Sequence, residues 1–394
     1  MNLSFDNTER AFAHKSNGDL RKAYRLFQTF SYPSLVEYSP KLANLALSIG
    51  LPVKGLIKST LFAQFCGGET IGESYPVAKQ LYQSGIGAIL DYSVEGEGRG
   101  EDFIQAFGEL QKVIIEATDK PEYPFAVFKC TGIGMFSMLE SVSGYIERGE
   151  STDKRDSLDY QYFHSRFEAL CKLAYENRTK LFIDAEETWI QAAIDEITYA
   201  NMAKYNTEDA IIYNTIQLYR KGRIEEIKYR IEEARAGGYK LGLKLVRGAY
   251  MEKEADRAEE LGYDNPIQNS KADTDLDYDE AIRLCFDNRD VLYFCAGTHN
   301  EQSSKLLAEL IEQNNLEKKD DRFWFAQLYG MSDHISFNLA HQGYNVAKYL
   351  PYGPVKEVLP YLSRRAQENS SVKGQAGREL SLIKSELKRR KLSS

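Results

Sequence analysis

Eight short apolar runs punctuate the chain after residue 85, and each is followed by a segment with Glu, Lys and Arg on a helical period. They lie at residues 88–95, 124–130, 180–184, 210–217, 242–250, 291–299, 323–329 and 345–350, and are rich in Val, Ile, Phe or Tyr. Buried runs alternating with helices imply a parallel sheet, because parallel strands need crossover connections. Eight repeats over about 260–280 residues match a TIM-like (β/α)8 barrel, for which roughly 250 residues is typical. An open doubly wound sheet would carry a glycine fingerprint after its first strand, and none is present. The fold class is therefore α/β, with an N-terminal helical arm over residues 1–84 and a barrel over residues 85–394. In the arm Phe12, Ala23, Leu26, Phe27 and Phe30 recur at helical intervals, and Asn17-Gly18-Asp19 supplies a turn with a cap. The polar stretch 258–279, which contains Asn265-Pro266, reads as a long loop before a helix near 281–288.

Composition narrows the function classes. At 394 residues with 43% hydrophobic side chains, wholesale disorder is excluded. The 50 basic against 58 acidic residues leave −8, which argues against a nucleic-acid scaffold or a basic membrane coat. Ten prolines are too few for a Pro-rich linker protein. Five scattered cysteines with no C-x-x-C fit a reducing compartment and neither a disulfide scaffold nor a cysteine-ligated zinc site. Asp6 and Glu9 precede any apolar run, so no secretory or transit leader is expected, and the weakly polar stretch 42–53 is too short to span a bilayer. A soluble, cytoplasmic protein is the expectation.

Three tempting motifs fail on chemistry. Gly67-Gly68-Glu69-Thr70-Ile71-Gly72-Glu73-Ser74 has the outline of a phosphate loop, but Glu73 stands where the lysine belongs. A carboxylate there repels phosphate, so the segment reads as a helix N-terminus with acidic first-turn residues. Asp273, Asp275 and Asp277 resemble the start of a calcium loop, yet Tyr278 occupies the required glycine and Leu284 the bidentate glutamate. A solvated acidic loop is expected instead. His334 and His341 are seven apart on a helix with no third ligand nearby, so no metal site is expected.

Catalytic groups of such barrels collect at the C-terminal ends of the strands. Those ends offer Glu95, Lys129, Asp184 with Glu186 and Glu187, Gln217, Arg247 and Tyr250, then Thr298, His299 and Asn300, then Gln327, Tyr349 and Tyr352. Any one alone is an ordinary loop hydrogen-bonder; together they make a polar rim. After the eighth run, Pro360-Tyr361-Leu362-Ser363-Arg364-Arg365-Ala366-Gln367-Glu368 opens with a proline suited to a first helical turn. Tyr361, Arg364 or Arg365, and Glu368 share a face, and two adjacent arginines diverge by about 100° in a helix. Their planar forks suit a small carboxylate, and Lys129 can bring a third positive charge. The alternative is a solvent-facing helix whose Arg365–Glu368 pair is an i,i+3 contact.

Lys244-Leu245-Val246-Arg247-Gly248-Ala249-Tyr250, Tyr349-Leu350-Pro351-Tyr352-Gly353-Pro354 and Tyr361-Leu362-Ser363-Arg364-Arg365-Ala366-Gln367-Glu368-Asn369 closely resemble the proline dehydrogenase family. Phe182-Ile183-Asp184-Ala185-Glu186-Glu187, Thr298-His299-Asn300 and Leu328-Tyr329-Gly330-Met331 agree in the family's order, as do Leu90-Asp91-Tyr92-Ser93-Val94-Glu95 and Gly68-Glu69-Thr70-Ile71. The resemblance implies a distorted (β/α)8 barrel that binds FAD noncovalently and oxidises L-proline to Δ1-pyrroline-5-carboxylate. It further implies a quinone as electron acceptor and pyrroline-5-carboxylate dehydrogenase as pathway partner.

By the same resemblance Arg364, Arg365 and Lys129 hold the proline carboxylate. Tyr349 and Tyr361 pack on the ring with Leu328 on its apolar side, and Glu95 gates the site by pairing with the first arginine. Asp184 and Lys244 match catalytic positions. Gln217, Lys244, Arg247, Gly248, Ala249, Tyr250, Thr298, His299, Asn300 and Glu368 match flavin contacts. Many relatives exchange the cations at 244 and 247, which leaves open which of the two meets the flavin ring. The segment 149–160 is longer than in compact members and reads as a surface loop. No ribbon-helix-helix arm and no aldehyde-dehydrogenase extension is present, so the monofunctional enzyme is expected. The rival readings are a trans-4-hydroxyproline dehydrogenase and a non-catalytic ligand-binding barrel. The basic tail Lys384, Lys388, Arg389, Arg390 and Lys391 reads as a helix end complementing its own dipole, with peripheral docking on an anionic membrane as the alternative.

Overall fold

The structure, a computed structural model, describes residues 3–30, 32, 53–93, 100–150, 157–371 and 375–392. Eight strands close into a barrel in sequence order. They are β1 (Ile86–Tyr92), β2 (Phe125–Lys129), β3 (Lys180–Asp184), β4 (Ile212–Gln217), β5 (Leu241–Val246), β6 (Leu292–Gly297), β7 (Phe323–Leu328) and β8 (Val346–Tyr352). All eight apolar runs fall on strands, and helices alternate with them as parallel pairing requires.

The differences from expectation are local. The run 242–250 extends past β5 because main-chain bonding carries on beyond the regular strand, and residues 94–95 of the first run lie outside the described residues. At the exit of β5, for example, Arg247 O accepts from Tyr219 N beyond the end of β4. The polar stretch 258–279 is mostly helical, with helices Met251–Leu261 and Lys271–Asp287 around a short connection. Ser270 caps the second helix by accepting from Asp273 N, and Thr274, Tyr278, Ala281, Ile282 and Cys285 supply its buried stripe. The three aspartates therefore lie on a helix rather than in a solvated loop. In the arm, Ser16 caps helix Asn17–Thr29, so Asn17-Gly18-Asp19 is its first turn and not a turn before it. The phosphate-loop mimic is the expected helix start: Thr70 caps Ile71–Gln83 with Glu73 in the first turn. Leu158 opens helix Leu158–Glu176, and residues 151–156 of the expected surface loop lie outside the described residues.

Two compact units are distinguished, Met1–Gly96 with Ala326–Ser394, and Glu97–Phe325. The first builds one apolar core from the arm and the C-terminal helices: Phe12, Leu20, Phe27, Phe30, Phe62 and Phe65 cluster with Met331, Val358, Leu362, Ile383 and Leu387. Burying each such side chain is worth roughly 1.5–3 kcal/mol, so the arm is an integral part of this unit. Within it β1 and β8 pair in register from Ile86↔Val346 to Tyr92↔Tyr352.

The second unit carries β2 to β6. Phe128 packs edge-on against Phe167 of helix Leu158–Glu176, so alternation turns Val127 and Lys129 to the opposite, barrel-facing side. Phe125 stacks on Phe182 at 4.2 Å, with Tyr213 edge-on to both. The five cysteines form no disulfide; all are buried, and burial pushes every thiol pKa up, Cys295 to about 12. Among the described residues no helix is long and apolar enough to cross a membrane.

Candidate active site

In the second unit strand register assembles the polar strand ends. Lys129 lies opposite Asp184, Thr215 opposite Lys244, and Gln217 opposite Val246. With a side-chain period of two, Lys129, Asp184, Thr215, Gln217 and Lys244 share one face. The Lys244 ammonium pairs with Asp184 across β4, where the small Thr215 turns its hydroxyl to Ile183 O. The same ammonium lies 5.1 Å from the centre of the Phe182 ring.

Past the strand ends the loop after β5 is braced by one guanidinium. Arg247 donates from Nε to Asp275 at 2.7 Å, from Nη1 to Thr298 at 2.5 Å and from Nη2 to Ser303 at 3.1 Å, over the Tyr278 ring. Thr298 also accepts from Asn300 N, and Asn300 caps helix Glu301–Gln313 through Gln302 N and Ser303 N. His299 lies between these two residues. Gly248 and Ala249 are exposed, and Tyr250 is the half-buried residue that begins helix Met251–Leu261. Gly248 has φ +141°, and a Cβ there would sit 2.3 Å from the Tyr219 ring, so the backbone is kept bare at this point.

Gln217 and Glu186 form the buried floor. Gln217 donates to Glu186 O at 2.9 Å, while its own Oε1 has no partner among the described residues although the residue is 3% exposed. A buried acceptor left open in this way suits an N–H donor from a bound group. Such an acceptor, a bare glycine backbone, and the hydroxyl and guanidinium of Thr298 and Arg247 fit the polar groups of a flavin nucleotide. Burial pushes the Glu186 carboxyl up to about 7, against the hydrogen bonds from Thr131 and the charge of Lys129.

In the first unit, helix Leu359–Ser371 presents Tyr361, Arg365 and Glu368 together. Arg365 donates to Glu368 at 2.5 Å, which is the i,i+3 contact that the plain reading of this helix expects. The setting is not a solvent-facing one, however. Arg365 is buried beside the Tyr361 ring, and among the described residues neither its Nε nor the buried Tyr361 hydroxyl, whose pKa burial raises, has a hydrogen-bond partner. Arg364 on the same helix is half-buried. Tyr349 is the one half-buried residue inside otherwise buried β8, and Leu328 ends β7 against the unit's apolar core. Glu95 lies outside the described residues.

A cluster unforeseen from sequence braces the loop after β7. Lys348, wholly buried, donates to Asp333 Oδ1 at 2.9 Å, Met331 O at 2.5 Å and Leu328 O at 3.4 Å. Lys15 and His14 of the arm lie 3.5 and 3.6 Å from the same aspartate. Burial alone would raise the Asp333 carboxyl, but the ammonium groups of Lys348 and Lys15, with the His14 ring beside them, hold it well below the ordinary range. Burial brings His14 down to about 4 as its ring stacks on Phe337. Gly330, at φ +77°, receives the Gln64 amide on its carbonyl, and a Cβ there would fall 2.0 Å from Gln64 O. The signal available in the sequence was a lysine inside the apolar run Val346-Ala347-Lys348-Tyr349-Leu350 with no acid at helical or strand spacing.

Comparison with known proteins follows the same lines. "Proline dehydrogenase 1, mitochondrial" of Dictyostelium discoideum is 32% identical, over 98% of this chain and 74% of its own length. A Xenopus laevis "Hydroxyproline dehydrogenase" is 30% identical over 96% of this chain and 88% of its own. Among solved structures, proline utilization A (PutA) from Bdellovibrio bacteriovorus, inactivated by N-propargylglycine, superposes with a TM-score of 0.75 at 19% identity. That match covers 96% of this chain but only 43% of the PutA chain, and it speaks for the fold. The family model described as proline dehydrogenase matches residues 75–378, a span that takes in all eight strands of the barrel. Since that span also contains both clusters of strand-end and helix residues, the chain belongs to the proline dehydrogenase family.

Proposed function

We propose that this chain oxidises L-proline to Δ1-pyrroline-5-carboxylate, with noncovalently held FAD as the hydride acceptor and a quinone as the onward electron acceptor. The observation that carries the reading is the Lys244–Asp184 pair on the barrel-facing side of the strands, with Lys129 in register beside the aspartate. Oxidation removes a hydride from the ring carbon next to nitrogen and a proton from the nitrogen. Bound FAD supplies the two-electron acceptor for that hydride.

The chain's own groups do the rest. Arg364 and Arg365 are assigned to the substrate carboxylate, supported by the buried Arg365 Nε, which has no partner among the described residues. Lys129 adds positive charge to the same task. Tyr349 and Tyr361 are assigned to the ring faces and Leu328 to the apolar edge, which limits rotation of the bound ring. Asp184 stabilises the iminium charge that develops as hydride departs, or accepts the amine proton. Lys244 supplies positive charge where negative charge accumulates in the electron acceptor. Gln217, Gly248, Ala249, Tyr250, Thr298, His299, Asn300 and Glu368 are assigned to holding FAD. Arg247 is committed to Asp275, Thr298 and Ser303, which favours Lys244 as the cation next to the flavin ring. Glu95 is assigned the gating role.

The frog relative is named a hydroxyproline dehydrogenase, and trans-4-hydroxy-L-proline is taken as the competing substrate. Tyr349 favours proline, since an added ring hydroxyl needs room and a polar partner. Anaerobic mixing of the flavin-loaded protein with each amino acid tests the reading. Rapid loss of the oxidised-flavin absorbance with L-proline, and slow or no loss with the hydroxylated compound, is expected. A flavin indifferent to both would overturn it.

Membrane docking through the tail is the accompanying proposal for quinone access. Arg389 and Arg390 are occupied: Arg390 donates to Phe12 O and Asn17, and both bind Glu386. The docking charges are therefore Lys384, Lys388 and Lys391, which are exposed. Flotation of a K384E/K388E/K391E variant with anionic liposomes is expected to show reduced binding; unchanged binding would sink the idea.

A further inference from the structure

Glu186 is a buried carboxylate that no step of the proposed reaction uses. Its two oxygens are both spent on one residue of the neighbouring strand exit. Oε1 accepts from Thr131 N at 3.0 Å and Oε2 accepts from the Thr131 hydroxyl at 2.5 Å. Thr131 stands two residues after Lys129, in the single 3-10 turn Cys130–Gly132 that closes β2. The main chain of Glu186 is equally engaged: its N–H donates to Gln191 Oε1 at 2.8 Å, and its carbonyl accepts from Gln217 Nε2 at 2.9 Å. Gln191 continues through Asp195 to Asn214 of β4.

We propose that Glu186 is a positioning residue which, through Thr131, fixes the turn that aims Lys129 at the substrate carboxylate. Its main chain does the same for Gln217, so one residue indexes a substrate anchor and a flavin contact to the end of β3. This rests on the functional reading above. A carboxylate gripped by an N–H and an O–H of one residue is a two-point clamp, and Lys129 sits on the short segment that the clamp holds. The burial that raises the Glu186 pKa shows what the arrangement costs, and the charge of Lys129 offsets part of it.

Glutamine discriminates positioning from charge. An amide at 186 can accept from Thr131 N through Oε1 and donate to Thr131 Oγ1 through Nε2, restoring both contacts without the charge. The experiment is steady-state L-proline oxidation by the flavin-loaded protein, with KM and kcat separated, for wild type, E186Q, E186A, T131V, K129A and E186A/K129A. Flavin content is recorded for each. Expected are a near-wild-type KM for E186Q and a rise of about tenfold for E186A with kcat largely kept. T131V is expected to show a smaller rise of about threefold. In the double variant, removal of Glu186 is expected to add little to the loss already caused by K129A, because the clamp acts through Lys129.

Additive losses in E186A/K129A would overturn the proposal, and so would an E186Q variant as impaired as E186A. Should E186A fail to fold, T131V decides: an unchanged KM overturns the proposal. Absence of proline turnover in the wild type would instead remove the substrate reading, and this inference with it.

Discussion

Lys348 on β8 and Lys244 on β5 both lie within apolar strands, and each pairs with an aspartate. Their surroundings differ. Lys348 places its ammonium among Asp333 and two main-chain carbonyls, and Asp333 is shared with Lys15 and His14. Every partner there belongs to the framework of the first unit: arm, strand, and the loop that follows β7. Lys244 and Asp184 retain side-chain exposures of 8% and 13%, and their neighbours in register are a second lysine and a threonine. Two identical ion pairs can thus serve different ends. The pair answered by the framework holds elements of the first unit in place, and the pair at the strand exit is the one to which the proposed function assigns a reactant. The distinction lies in what fills the remaining positions around each ion, and not in the pair itself.

The strongest way to break this comparison is K348M. It leaves Asp333 buried without its principal partner, and a loss of about 3–5 kcal/mol in unfolding free energy is expected. Urea titration checks it, and a loss below about 1 kcal/mol would mean that Lys15 and His14 suffice. The matching change K244M should leave urea stability within about 1 kcal/mol of wild type while lowering kcat for L-proline by about a hundredfold or more. If both variants lose stability equally, the assignment of separate tasks fails.

Acid titration sharpens the framework side. The folded-state pKa of His14 is lowered from 6.5 to about 4, so the unfolded chain binds the proton more readily. Stability conferred by keeping His14 neutral is present above the unfolded pKa and is lost as pH falls through the interval from 6.5 to about 4. Its size is on the order of 3 kcal/mol. Asp333, also depressed, extends the loss to still lower pH, whereas Glu379, raised by burial, works in the opposite sense. Comparing wild type with H14N isolates the histidine: the variant should show a flatter stability profile between those two pH values. The mildest expected effect is that of Y361F. The buried hydroxyl has no partner among the described residues, so its removal should change stability by less than about 1 kcal/mol, and any rise in KM for proline then reports on substrate contact.

Most of the barrel was legible because each strand is a continuous apolar run, a property carried by neighbouring residues. The helix Lys271–Asp287 was not, since its polar face dominates the composition, although Ser270 followed by Asp273 is a capping signal of the right spacing. Asp184, Lys129 and Gln217 were readable from their places at the ends of runs, where period-two alternation selects one face, whereas Lys244, inside its run, came only from the family resemblance. Lys348, Asp333, His14 and Lys15 were not, because 333 and 348 meet only through the crossover and 14 and 15 come from the far end of the sequence. Glu186 stood among the strand-end residues, yet its link to Thr131 depends on β2 and β3 lying side by side, which register alone supplies.

The buried cysteines have a use in experiment. Cys66 belongs to the first unit, and Cys130, Cys171, Cys285 and Cys295 to the second. With each thiol enclosed and its ionisation suppressed, an alkylating reagent can react only when the surrounding structure opens. The labelling rate at each position is then a local clock of opening events. Mass spectrometry of labelled peptides would read the two units separately in a single sample, with no probe added to the chain.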